Sequence, residues 1–128
     1  MAAMMLDPLA AARRGFMVVT QDTPGRFASE GEWEPWAYEE SDGDDTVRWA
    51  AALPGSNDSV GMIGGSCFGN TQWMGALSKP PELKATAPLI TWSDPDDGLW
   101  TRGGATELGI TAPWSLMQGA DTLMRRPA

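Results

Sequence analysis

The run Val60-Gly61-Met62-Ile63-Gly64-Gly65-Ser66-Cys67-Phe68-Gly69 constrains this chain more than any other stretch. It begins as a short apolar run of strand type, turns a corner of small residues, and restarts as an apolar, helix-compatible segment. That is the layout of a nucleophile elbow, in which a serine sits on a sharp, strained strand-to-helix turn. Gly64, Gly65 and Gly69 leave out the bulk that such a corner has no room for. The turn lifts the Ser66 hydroxyl clear of the sheet edge and aims the first amides of the following helix at the same point, where an anion would be stabilised. The spacing is Gly-x-Ser-x-x-Gly rather than the usual Gly-x-Ser-x-Gly. On the local pattern alone, a glycine-rich turn with Ser66 as a helix N-cap reads equally well.

The flanking residues weigh in. The elbow run continues Asn70-Thr71-Gln72-Trp73, and an earlier block reads Val18-Val19-Thr20-Gln21-Asp22-Thr23-Pro24-Gly25-Arg26-Phe27-Ala28-Ser29-Glu30-Gly31-Glu32-Trp33. Together with Leu83-Lys84-Ala85-Thr86-Ala87-Pro88, these blocks resemble the cocaine esterase and X-Pro dipeptidyl-peptidase family of serine hydrolases, α-amino-acid ester hydrolases and glutaryl acylases included. The family's elbow reads Gly-x-Ser-Tyr-x-Gly, followed in the esterases by Thr-Gln-Trp. Its earlier block reads Gln-Asp-x-Arg-Gly-x-x-x-Ser-x-Gly. The resemblance covers nearly the whole chain. Cys67 stands where the family has a tyrosine, and Pro24 where it has an arginine; the second change implies the loss of a structural ion pair.

The resemblance implies a partial α/β-hydrolase fold, a parallel sheet with flanking helices, over residues 1–93, followed by the start of a helical cap over 94–128. It implies cleavage of ester or amide bonds, acyl or dipeptidyl, through an acyl-enzyme on Ser66, with the backbone N–H of Cys67 in the oxyanion hole. It also implies that Trp100 and Trp114 line an acyl pocket, although as residues read alone both tryptophans are plainer as packing groups. The family's triad aspartate and histidine lie beyond the cap, and its side-chain oxyanion donor, a tyrosine, lies upstream of the region matched here. Tyr38 is in the wrong place for that role.

Composition sharpens this. The 128 residues contain no histidine, the base that a serine hydroxyl most often needs. The chain as given is therefore expected to be inactive alone. The alternative is a truncated, non-catalytic remnant that serves only as a binding or interaction module. A net charge of −8 argues against nucleic acid, because phosphate binding needs clustered Lys and Arg. The single cysteine excludes an internal disulfide and gives export no support, so a cytoplasmic location is expected. No apolar run approaches transmembrane length, so no membrane partner is expected. No cofactor and no metal are expected, and the substrate is a small ester, amide or peptide.

In chain order, residues 1–14 read as an alanine-rich helix with Arg13 and Arg14 at its negative end. Residues 16–20 read as a strand buried on both faces. The acidic run 39–45 reads as a cap, with Asp42 or Asp44 at the start of a helix over 45–53, in preference to a calcium loop. Strands follow at about 59–63 and 83–90, with a helix from Ser66 to about Ser78, ended by Lys79-Pro80-Pro81. That order is the doubly wound α/β pattern. Asp94-Pro95-Asp96-Asp97-Gly98 is a turn-rich break. Strands without neighbours would leave open sheet edges, through which self-association is expected.

Overall fold

The computed structural model of the chain describes residues 7–94 and 96–125; residues 1–6 of the expected first helix and Pro95 of the expected break lie outside them. The first element is α1 (Pro8–Arg13). Asp7 caps it, its carboxylate accepting from the Leu9 and Ala10 amides at 2.9 and 3.1 Å. Pro8 suits the first turn because its missing N–H has no intrahelical acceptor to lose.

Residues 16–20 are not a strand. A strand needs a ladder partner to satisfy its amides and carbonyls, and the described sheets pair none of these residues. Phe16 and Met17 are largely exposed. The run is β-branched, but no described strand pairs with it.

The helix α2 (Glu39–Ala51) begins at Glu39 rather than Asp45. The expected aspartate caps therefore lie inside the helix, where Glu39, Glu40 and Asp42 set negative charge in its first turn, against the positive end of the dipole. Glu39 also accepts the Trp36 amide at 2.9 Å. Gly43, inside α2, is a point of close approach: a Cβ there would lie 2.7 Å from the Cα of Gly75.

Gly75 belongs to α3 (Cys67–Leu77), which links the strands β1 (Val60–Gly65) and β2 (Leu83–Leu89). The two strands pair in parallel, with Met62 opposite Thr86 and Gly65 opposite Leu89. A parallel pair requires such a crossover. This βαβ unit and α2 belong to one compact unit, made of Met1–Asp22 and Glu34–Ser93. Its buried apolar side chains among the described residues are Val47 and Ala51, while Gln72 and Asn70 are as deeply enclosed, at 1% and 2% exposure. Ile63, Trp73, Leu77 and Leu89 remain substantially exposed, and Ile90 is 92% exposed.

The second unit comprises Thr23–Trp33 and Asp94–Ala128. Here β3 (Thr101–Arg102) and β4 (Ala105–Thr106) form an antiparallel hairpin. Its turn residues Gly103 and Gly104 both have positive φ, +57° and +82°, as a tight two-residue hairpin turn favours. The helix α4 (Leu108–Arg125) follows, with Pro113 inside it. No helix among the described residues is long and apolar enough to cross a membrane.

Candidate active site

β1 ends in Gly64-Gly65, and α3 starts at Cys67, so the whole change of direction falls on Ser66. Its backbone sits at φ 55°, ψ −124°, a region that side-chain-bearing residues rarely occupy. The conformation is held from both sides. The Ser66 N–H donates to the carbonyls of Leu89 and Ile90 at 2.9 and 3.2 Å. The Ser66 carbonyl accepts from the Gly69 and Asn70 amides at 2.9 and 3.1 Å, and from the Thr91 hydroxyl at 2.7 Å. Ser66 is exposed. The corner spends its rigidity on the backbone and presents the hydroxyl outward.

Two glycines make the corner possible. A Cβ at Gly64 would lie 2.5 Å from the Cβ of Phe68, and one at Gly69 would lie 2.6 Å from the Cβ of Thr91. Both spacings are far inside van der Waals contact. The strand end and the first helical turn approach so closely that only a missing side chain fits.

Cys67 is the first residue of α3, and its Sγ lies 3.9 Å from the Ser66 Oγ. A helix's own carbonyls offer no acceptors to its first amides, so the Cys67 N–H stands beside the serine at the positive end of the dipole. Ser66 and Cys67 are thus brought together at one corner. With no histidine in the chain, no imidazole of its own stands beside Ser66.

Three residues that the sequence reading did not single out support the corner. Gln72 donates from Nε2 to the carbonyls of Gly64 and Phe68 at 3.1 and 2.7 Å, and its Oε1 accepts the Ala87 amide at 2.9 Å. Asn70 donates from Nδ2 to the Trp92 carbonyl at 3.2 Å. Thr91 fills the notch opposite Gly69. Gln72 was visible only as one letter of a matched block, and nothing in the sequence marks Thr91.

Trp100 and Trp114 lie in the second unit, where their ring centroids are 4.9 Å apart. Trp33 joins them, 5.8 Å from Trp114. Trp33, Trp114, Ser115, Gln118 and Leu123 line an open groove of about 390 Å³. Behind it, buried Arg26 stacks over Trp33 at 4.3 Å, pairs with Asp121 at 2.8 Å, and donates to Thr122 Oγ1 at 3.3 Å and to Gln118 Oε1. Pro24 therefore does not leave this loop without an ion pair; an arginine two residues later makes one.

A cocaine esterase from Rhodococcus sp. (strain MB1 Bresler) is 39% identical to the chain over 115 residues, which is 89% of this chain and 20% of the relative. The chain thus spans about a fifth of the length of the curated relative it matches. The family model described as X-Pro dipeptidyl-peptidase (S15 family) matches residues 2–128. A strained serine between a parallel strand and its crossover helix, continued by a match over almost every residue, places the chain in the X-Pro dipeptidyl-peptidase (S15) family.

Proposed function

We propose that this chain carries the nucleophile segment of a serine hydrolase that cleaves ester or amide bonds, acyl or dipeptidyl, with Ser66 as the attacking residue. The observation that carries the reading is the backbone of Ser66, at φ 55° and tied at its carbonyl by three donors. Strain of this kind persists only where surrounding structure enforces it, and it clusters at reacting residues. In the reaction, the Ser66 Oγ adds to the substrate carbonyl as its proton passes to a base, and the Cys67 N–H stabilises the resulting oxyanion. Loss of the alcohol or amine leaves an acyl-enzyme on Ser66, which water then hydrolyses.

The base and its orienting acid come from outside these 128 residues, so the chain alone does not turn over. Residues 1–93 form the hydrolase part and 94–128 the beginning of a cap, with Trp100 and Trp114 on the acyl side of the substrate. The exposed Ile63, Leu89 and Ile90 and the outer edges of the β1–β2 pair are the faces through which this segment joins further strands or a second copy. We place the reaction in the cytoplasm.

The test is a chimera in which this chain replaces the matching segment of the Rhodococcus cocaine esterase. The chimera is expected to hydrolyse an ester and to become labelled on Ser66 by a fluorophosphonate, and Ser66→Ala is expected to abolish both. Ester turnover that survives Ser66→Ala would sink the assignment.

A further inference from the structure

We propose that Gln72 is the positioning residue of the Ser66 corner: one buried carboxamide fixes the end of β1, the first turn of α3 and the middle of β2 relative to each other. The role has catalytic meaning only on the reading of Ser66 as nucleophile.

A buried amide side chain is expensive unless its donors and acceptor are used. At 1% exposure, Gln72 uses all of them on backbone groups. Both Nε2 protons have an acceptor, one of them the Gly64 carbonyl, two residues before Ser66, the other the Phe68 carbonyl, two residues after it. Gln72 therefore grips the chain symmetrically on either side of the strained residue. Its Oε1 takes the amide of Ala87 in the neighbouring strand, two residues before Leu89, whose carbonyl receives the Ser66 N–H. A single side chain thereby sets the distance between the two strands and the pitch of the turn between them. An apolar residue of similar volume would fill the space and lose all three bonds, leaving the Phe68 carbonyl to the Thr71 hydroxyl and the Gly64 and Ala87 groups to the strand ladder.

Cys67, the single cysteine of the chain, is the reporter, because its Sγ sits 3.9 Å from the Ser66 Oγ and thiol alkylation follows the thiolate's surroundings. The rate of alkylation by iodoacetamide is followed across pH for the full chain, for Gln72→Met and for Gln72→Glu. Ala51→Gly, which loosens α2 away from the corner, is the control. The Gln72 variants are expected to change the rate at neutral pH by about threefold or more and to displace the profile, with Ala51→Gly leaving it in place. A folded Gln72→Met with the unaltered profile overturns the proposal, as does an equal displacement in Ala51→Gly. Should both Gln72 variants fail to fold, the unaltered chain decides. Its Gln72 side-chain amide protons are expected to exchange with water at least about tenfold more slowly than those of exposed Gln21. Exchange as fast as Gln21 overturns the proposal. None of these readouts needs acyl transfer, so failure of Ser66 as a nucleophile and failure of Gln72 as its support are told apart.

Discussion

Thr91 meets Ser66 through a hydrogen bond and Gly69 through contact: its Oγ1 donates to the Ser66 carbonyl at 2.7 Å, while its Cβ stands where any side chain at position 69 would have to go. One short β-branched residue after β2 thus both holds the strained serine and closes the notch beside it.

Gly69→Ala puts a Cβ 2.6 Å from the Cβ of Thr91. Neither atom is the far end of a flexible side chain, so the backbone must move. Overpacking of this sort costs about 1–3 kcal/mol, and the fall is expected in the urea midpoint of the full chain.

Thr91→Val keeps the shape and removes the hydroxyl. The Ser66 carbonyl retains the Gly69 and Asn70 amides, so it is not left unpaired. The expected loss is about 1 kcal/mol, the usual worth of one hydrogen bond, measured the same way. A loss as large as that of Gly69→Ala would show that the hydroxyl, rather than the contact, dominates.

Ser66→Gly should stabilise the chain. Relief of the positive-φ strain is worth roughly 1–3 kcal/mol, against roughly 0.5–1 kcal/mol for the extra freedom of glycine in the unfolded chain. Ser66→Ala keeps the strain and should leave the midpoint almost unmoved. A midpoint raised in Gly but not in Ala would place stored strain at the residue proposed as the nucleophile.

Gly43→Ala sets two effects against each other. Alanine favours a helix interior by up to about 1 kcal/mol, but here its Cβ lies 2.7 Å from the Cα of Gly75. The clash is expected to win, with a net loss of about 1–2 kcal/mol. A gain in thermal midpoint would mean that α2 and α3 can part without penalty.

Arg26→Ala removes a buried guanidinium that pairs with Asp121 and stacks over Trp33. Breaking a fully buried pair from one side costs about 3–5 kcal/mol; with Asp121 partly open to solvent, about 2–3 kcal/mol is expected here. Tryptophan fluorescence should change with it, because Trp33 loses the cation on its face.

The elements built from local signals were legible in advance. The strand-corner-helix run gave β1, the Ser66 turn and α3 close to their observed limits, and Pro80-Pro81 marked the end of the helix. Residues 16–20 show where this stops: their composition asks for a strand, but only a neighbour can make one, and a neighbour is not a local property. Gly43 has a requirement of the same non-local kind. Glycine disfavours a helix interior, yet the close approach of Gly75 makes its missing side chain the requirement. Ser66 and Cys67 were readable as a pair because they are adjacent. The support from Gln72, Thr91 and Arg26 was not, because each acts on backbone or side chains distant in sequence.

The pairing of β1 with β2 joins positions only about two dozen residues apart. Loops of that length close quickly, since the entropy of closure rises slowly with length. The strand pair and its helix can therefore assemble early, while a nascent chain is still being made. The serine's own geometry is set by the same pairing, because the Leu89 carbonyl that holds it closes β2, and the Ile90 carbonyl and Thr91 hydroxyl follow directly. Closing the strand pair and straining the serine are thus one event: the last rung of the ladder is also the first clamp on Ser66.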